Sequence, residues 1–135
     1  MPLIVWDQSL SVGVEVFDGH HKKLVDLINT LNDAMGQGKG RDVVGATLDE
    51  LVRYTQYHFS EEEKLMAAKA YPSLAAHKAE HKALTQKALD LAAQHKAGHI
   101  AITVPVLHFL RDWLTNHIKG TDKKYGPYLS PNGGV

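Results

Sequence analysis

Four stretches of the chain repeat apolar side chains at steps of three and four residues, and histidines are set into or beside each stripe. Leu24, Leu27, Ile28, Leu31 and Met35 make the first. Leu48, Leu51, Tyr54, Thr55 and Leu65 make the second, joined by His58 and Glu62. The third runs through Leu74, His77, His81, Leu84, Ala88 and Leu91, and the fourth through Leu110, Trp113, Leu114 and His117. That period belongs to helices with one apolar face. Breakers separate them: Gly36-Gln37-Gly38-Lys39-Gly40, Tyr71-Pro72-Ser73, and a fade through Gln94-His95-Lys96-Ala97-Gly98. The spacing predicts a helix from Asp18 to Gly36 and a second over about 42–66 with Asp42 as N-cap. A third follows Pro72, and a fourth starts near Thr103 with Pro105 in its first turn. Four helices with short connections predict an all-α fold, an up-down-up-down antiparallel four-helix bundle. Residues 1–17 read as an extended N-terminal arm, residues 18–119 as the bundle and residues 120–135, rich in Gly, Pro, Asn and Lys, as an irregular tail, all within one domain.

At 135 residues the chain can bury a core without crosslinks. It has no cysteine, which excludes disulfides, thiolate nucleophiles, zinc-thiolate sites and iron–sulfur clusters together. Fifteen basic residues balance fifteen acidic ones, with no basic run to support a nucleic-acid or anionic-membrane partner. No apolar run approaches the roughly 20 residues that span a bilayer. The opening Met1-Pro2-Leu3-Ile4-Val5-Trp6-Asp7 lacks the pattern of a signal peptide. The expectation is a cytoplasmic monomer without membrane insertion. Nine histidines are the feature of the composition that needs a cause.

Helical residues four apart lie one above the other with Cβ atoms about 5–6 Å apart, so His58/Glu62 and His77/His81 each present two metal-binding side chains from one stripe. His117 and Asp122 are five apart, and five steps turn the second side chain about 140° away on a continuous helix. A helix end must fall between them, and Gly120 offers one. In the first helix His20 and His21 lie on either side of the stripe's centre, and the period does not choose between them; Glu61 is likewise near Glu62 in angle. Unpaired imidazoles inside a core are costly, and a metal would satisfy them all at once. Imidazole with carboxylate suits iron, manganese, zinc or copper, whereas calcium or magnesium would want an oxygen cage. Five histidines and two carboxylates are too many ligands for one ion but fit two ions bridged by both carboxylates. Charge balance favours iron. A ferrous pair with a hydroxo bridge and an oxygenated ferric pair with an oxo bridge carry the same net charge, so O2 uptake would add no charge to a low-dielectric core.

The segments Asp18-Gly19-His20-His21, His58-Phe59-Ser60-Glu61-Glu62, Tyr71-Pro72 with His77-Lys78-Ala79-Glu80-His81, and Trp113-Leu114-Thr115-Asn116-His117-Ile118 with Asp122 resemble the hemerythrin family in its stand-alone bacterial form, from about Trp6 to Tyr125. By that resemblance His77, His81 and His117 would hold one iron ion and His21 and His58 the other. Glu62 and Asp122 would bridge them together with an oxo or hydroxo group, and the ion with two histidines would keep a position open for O2. The family's Asp-x-x-His spacing selects His21 over His20. Trp113, Leu114 and Ile118 would wall the oxygen pocket. The implied function is reversible O2 binding for transport, storage or delivery, with an oxygen-consuming recipient that the sequence does not identify, and no catalysis.

Two other classes compete. A di-iron oxidase, peroxidase or ferroxidase on a similar bundle would want a carboxylate-rich set built on Glu-x-x-His pairs, which these candidates do not form. An oxygen or redox sensor would need a separate output partner. Glu61 and Glu63 read as solvated, His95 and His99 as surface residues of a loop region, His108 as facing away from His117, and Trp6 as a packing anchor over the open end of the bundle.

Overall fold

A computed structural model describes residues 3–37, 41–98 and 104–129, with the side chains of Arg41 and Asp42 outside that description. Its helices are α1 (Glu15–Gly36), α2 (Arg41–Ala68), α3 (Leu74–Lys96), α4 (Val104–Gly120) and a short α5 (Gly126–Leu129). No strand occurs among the described residues. Helix α1 packs on α2 and α4, and α2 packs on α3. The Trp113 indole Nε1 ties α4 to α3 by donating to the Leu84 carbonyl at 3.2 Å. The result is the antiparallel four-helix bundle that the periodicity predicts.

Helix α1 starts three residues before Asp18. Val14 is extended and makes no side-chain cap, while the Asp18 carboxylate folds back to accept from Val12 N at 2.8 Å and Ser11 Oγ at 2.6 Å. Glu15 and Asp18 also place negative charge at the positive end of the helix. With Phe17 included, the buried stripe is Phe17, His21, Leu24, Ile28, Leu31. The stripe of α2 runs through Val44, Leu48, Leu51, Thr55, His58, Glu62 and Met66 without a break. Helix α2 begins at Arg41, which puts Asp42 inside the first turn rather than at the cap expected of it. Two residues past its end Ala70, a non-glycine residue, takes φ 55°, with Tyr71 N reaching back to the Met66 carbonyl at 2.9 Å.

The arm is extended but interrupted by a 3-10 turn at Gln8–Leu10, and Ile4 pairs its N–H and carbonyl with the Asn29 amide at 2.9 and 2.8 Å. Ile4, Leu10, Val12 and Val14 are buried against the bundle. Trp6 packs partly buried on the same core, with the Lys22 ammonium 5.3 Å from its ring centre. The tail departs from the irregular chain expected of it. Asp122–Tyr125 form a 3-10 turn that leads into α5, and Asp122, Tyr125 and Leu129, spaced three and four apart, are all buried. Gly126 is required here, because a Cβ would lie 2.6 Å from the Val12 carbonyl oxygen. No helix among the described residues is long and apolar enough to cross a membrane.

Candidate metal centre

Each element brings its share of the site to one end of the bundle: His21 from α1, His58 and Glu62 from α2, His77 and His81 from α3, His117 from α4, and Asp122 from the turn behind it. All seven are buried, and none is more than 4% exposed. His117 and Asp122 are separated by the end of α4 at Gly120, as their spacing requires. Gly120 closes the helix as expected, without a positive φ, and Thr121 follows at φ −113°.

The five Nε2 atoms converge on the two carboxylates. His58 Nε2 lies 3.2 Å and His21 Nε2 3.4 Å from Glu62 Oε2, and His81 Nε2 lies 3.1 Å from Glu62 Oε1. His77 and His117 each place Nε2 2.9 Å from Asp122 Oδ1, and His21 Nε2 is 3.1 Å from Asp122 Oδ2. Glu62 and Asp122 thus belong to two overlapping groups of possible metal ligands, one completed by His77, His81 and His117 and the other by His21 and His58.

Most of these approaches are close without being aligned as hydrogen bonds. Nε2 of His21, His58, His81 and His117, Glu62 Oε1 and Asp122 Oδ2 have no hydrogen-bond partner among the described residues despite full burial. An orphaned buried polar atom costs about 1–3 kcal/mol. Six around one small space, all with lone pairs to offer, fit a pair of cations bridged by the carboxylates better than they fit a self-sufficient polar network.

Behind the cluster the other ring nitrogens are held. His81 Nδ1 is 2.8 Å from Glu63 Oε2. His117 Nδ1 is 3.0 Å from Glu80 Oε1, and the Thr121 hydroxyl donates to Glu80 Oε2 at 2.7 Å. Such partners fix which nitrogen carries the hydrogen and how the ring is turned. The Tyr125 hydroxyl donates to Glu62 Oε2, and its ring stacks on His77 with centroids 5.6 Å apart. Phe59 lies parallel to the His81 ring at 3.8 Å.

Burial and facing charge pull on the protonation of these groups in opposite directions. Burial pushes the His21 and His117 pKa values down, but the facing Asp122 carboxylate, with Glu62 behind it at His21, outweighs burial and raises both to about 9. At His58 burial wins and holds the pKa below the usual value. Glu62 and Asp122, although burial opposes their charge, are held well below the usual carboxylate range, Glu62 by His58 and His21 and Asp122 by His117 and His21. Burial and the nearby Glu62 charge push the Tyr125 hydroxyl well above its normal value, so it stays a donor.

Several expectations need correction. Glu63 is not simply solvated: its side chain is 27% exposed and bonded to His81. His95 is neither in a loop nor at the surface. It lies in the last turn of α3, 5% exposed, with its ring packed against Gly45 of α2. His108 is exposed, Glu61 points out toward Lys64, and His99 lies outside the described residues. Trp113, Leu114 and Ile118 are buried in the core of the same helix that carries His117. Glu80, Thr121 and Tyr125 were not singled out from the sequence. The adjacency of Glu80 to His81, and the three-residue step from Asp122 to Tyr125, were the available signals.

The family model of the hemerythrin HHE cation binding domain matches residues 12–129. A bacteriohemerythrin of Methylococcus capsulatus is 40% identical over 131 residues, which cover 96% of this chain and 99% of that one. A myohemerythrin of Theromyzon tessulatum is 32% identical over 120 residues, covering 89% and 88% of the two chains. A crystal structure of wild-type hemerythrin superposes with a TM-score of 0.89 at 40% identity, covering 95% of this chain and 98% of that one.

Proposed function

The chain belongs to the hemerythrin family, and from that premise we propose that its buried cluster holds two iron ions and binds O2 reversibly, for transport, storage or delivery. His77, His81 and His117 would hold one ion and His21 and His58 the other, with Glu62, Asp122 and an oxo or hydroxo group between them. The observation that supports this reading above the others is the convergence of five Nε2 atoms on two shared, buried carboxylates, with four of those nitrogens and one oxygen of each carboxylate unmet among the described residues. When bound, the iron pair supplies reversible electron transfer to and from O2.

The chain's own residues do the rest. Glu63 and Glu80 hold His81 and His117 by Nδ1, so that Nε2 faces the centre. Tyr125 donates to Glu62 and restrains the shared carboxylate. Trp113, Leu114 and Ile118 would exclude water beside His117, which keeps protons from the oxygen site and favours release over oxidation. The reading implies a cytoplasmic monomer that hands O2 to a separate oxygen-consuming protein. The histidine-rich ligand set distinguishes it from carboxylate-rich di-iron enzymes.

Iron analysis combined with visible spectra through cycles of O2 and argon tests the proposal. About two irons per chain, from seven ligands with two shared carboxylates, and a band that appears with O2 and disappears without it are expected. Two zinc ions in iron-replete material, or turnover of a substrate with no return to the deoxygenated state, would replace this reading.

A further inference from the structure

One candidate ligand is held from behind by a second imidazole. His20, partly buried and outside the cluster, places its Nδ1 2.9 Å from Nδ1 of His58, with the two rings nearly perpendicular at 86°. Phe17, Tyr54 and Tyr57 wall the His20 ring, with centroids 5.7, 6.0 and 5.4 Å away. The histidine is therefore packed in place rather than swinging in solvent.

Two neutral ring nitrogens at this distance share one hydrogen, so one donates and the other accepts. His58 Nε2 faces Glu62 and the centre at 3.2 Å, where a bound ion needs a lone pair. The His58 hydrogen must then sit on Nδ1 and be donated to His20. The His20 Nδ1 must in turn be bare, which places the hydrogen of that ring on Nε2, away from the site. We propose that His20 is a positioning residue for His58, accepting its Nδ1–H and so fixing the tautomer and ring orientation that turn Nε2 toward the metal. Glu63 and Glu80 do the same for His81 and His117. This role rests on the reading of the cluster as a metal centre and goes beyond it by giving work to a histidine that is not a ligand.

The choice of acceptor has a consequence. Behind His81 and His117 stand carboxylates, which make an imidazole a stronger donor. Behind His58 stands a neutral ring, and His21 Nδ1 has no hydrogen-bond partner among the described residues. The His21/His58 end is thus the weaker half of the donor set, and its ion is the more easily lost.

The test compares iron-loaded wild type with His20→Leu, which has no acceptor, and His20→Gln, whose amide oxygen can accept. Two quantities are read: the rate of iron transfer to a chelator, and the exchangeable ring N–H proton resonance of His58 in the iron-shifted region. His20→Leu should lose one of the two ions roughly 10–100-fold faster, the usual effect of removing such a partner, and its His58 N–H resonance should be lost to exchange with water. His20→Gln should keep the resonance and most of the retention. His20→Met repeats the test with an unbranched apolar side chain. Wild-type retention and an intact resonance in the Leu and Met variants overturn the proposal. So does a Gln variant as defective as Leu, because packing rather than hydrogen-bond acceptance would then decide. Wild type that takes up no iron would sink the metal-centre reading itself, a result distinct from either.

Discussion

The buried side chains that α3 presents to the core are His77, His81, Ala88 and His95, whereas α1 buries Phe17, Leu24, Val25, Leu27, Ile28 and Leu31 besides His21 and Ala34. At about 1.5–3 kcal/mol for each large apolar side chain, α1 is anchored by roughly 10 kcal/mol or more without help from the site. Helix α3 has only partly buried Leu74, Leu84, Leu91 and Ala92 beside it, worth about 1 kcal/mol each if half the value of a buried leucine is taken. If His77 and His81 bind metal, each tie is worth at least a charge-assisted hydrogen bond, about 1.5–3 kcal/mol, so losing both removes about 3–6 kcal/mol from the docking of α3. At 1.4 kcal/mol per factor of ten, amides of α3 should then exchange about 100-fold to 10,000-fold faster in metal-free protein. Those of α1 over residues 24–34 should change less than about tenfold. Hydrogen exchange read by mass spectrometry on iron-loaded and chelator-stripped protein gives both values from one sample. Equal acceleration in α1 and α3 would show that the site holds the bundle as a whole, and no acceleration in α3 would show that its apolar flanks suffice; either result refutes the reasoning.

Three further outcomes are expected. In metal-free protein His21 and His117, raised from 6.5 to about 9, contribute stability that is fully present below about pH 6.5 and lost as pH rises through about 9. Glu62 and Asp122, with lowered pKa values, contribute stability that is present above their unfolded values of about 4.5 and 3.8 and lost in stronger acid. Melting temperature should therefore fall from pH 6.5 to 9.5 in metal-free protein, and a flat profile there would contradict the assigned charge states. Tyr125→Phe keeps the stacking on His77 but removes the hydroxyl that donates to Glu62, which should cost about 1.5–3 kcal/mol in denaturant unfolding, and an unchanged midpoint would deny that bond any weight. Ala70→Gly at φ 55° relieves about 1–2 kcal/mol of left-handed strain against about 0.5–1 kcal/mol of added chain entropy, so the urea midpoint should rise, and a lower one would mean that Ala70 is not strained.

The pairs on single helices were legible because helical period alone stacks His58 on Glu62 and His77 on His81. The tie between His20 and His21 is one that period does not resolve even with Phe17 in the helix, because Phe17 stands three residues before one and four before the other; both rings turn inward, His21 into the cluster and His20 against His58. His95 departs from the loop expected of it because the fade from Gln94 to Gly98 does not break the helix, and α3 continues to Lys96. For the supporting groups Glu63, Glu80 and Tyr125 the sequence offers only nearness to a candidate ligand, which does not fix a role. Whether a carboxylate beside a ligand faces water or a ring nitrogen on another helix depends on how the helices are rotated against each other, and intrahelical period carries no such information.

The same placement bears on how a bundle can bury seven polar side chains at one end. Two buried carboxylates need about two positive charges close by. Without metal those charges are protons on His21 and His117, one carried by α1 and one by α4, each against Asp122. The charge of the cluster is thus balanced between α1, α2, α4 and the turn that carries Asp122 by imidazolium–carboxylate contacts. On the proposed reading, cation entry would displace those protons, because a ligating imidazole presents a bare nitrogen. Loading would exchange one kind of positive charge for another within the frame of the apolar stripes. Helix α3, whose stripe is short of large apolar side chains around His77 and His81, would gain most from the exchange, so the element that completes the cluster would also be the one the cluster completes.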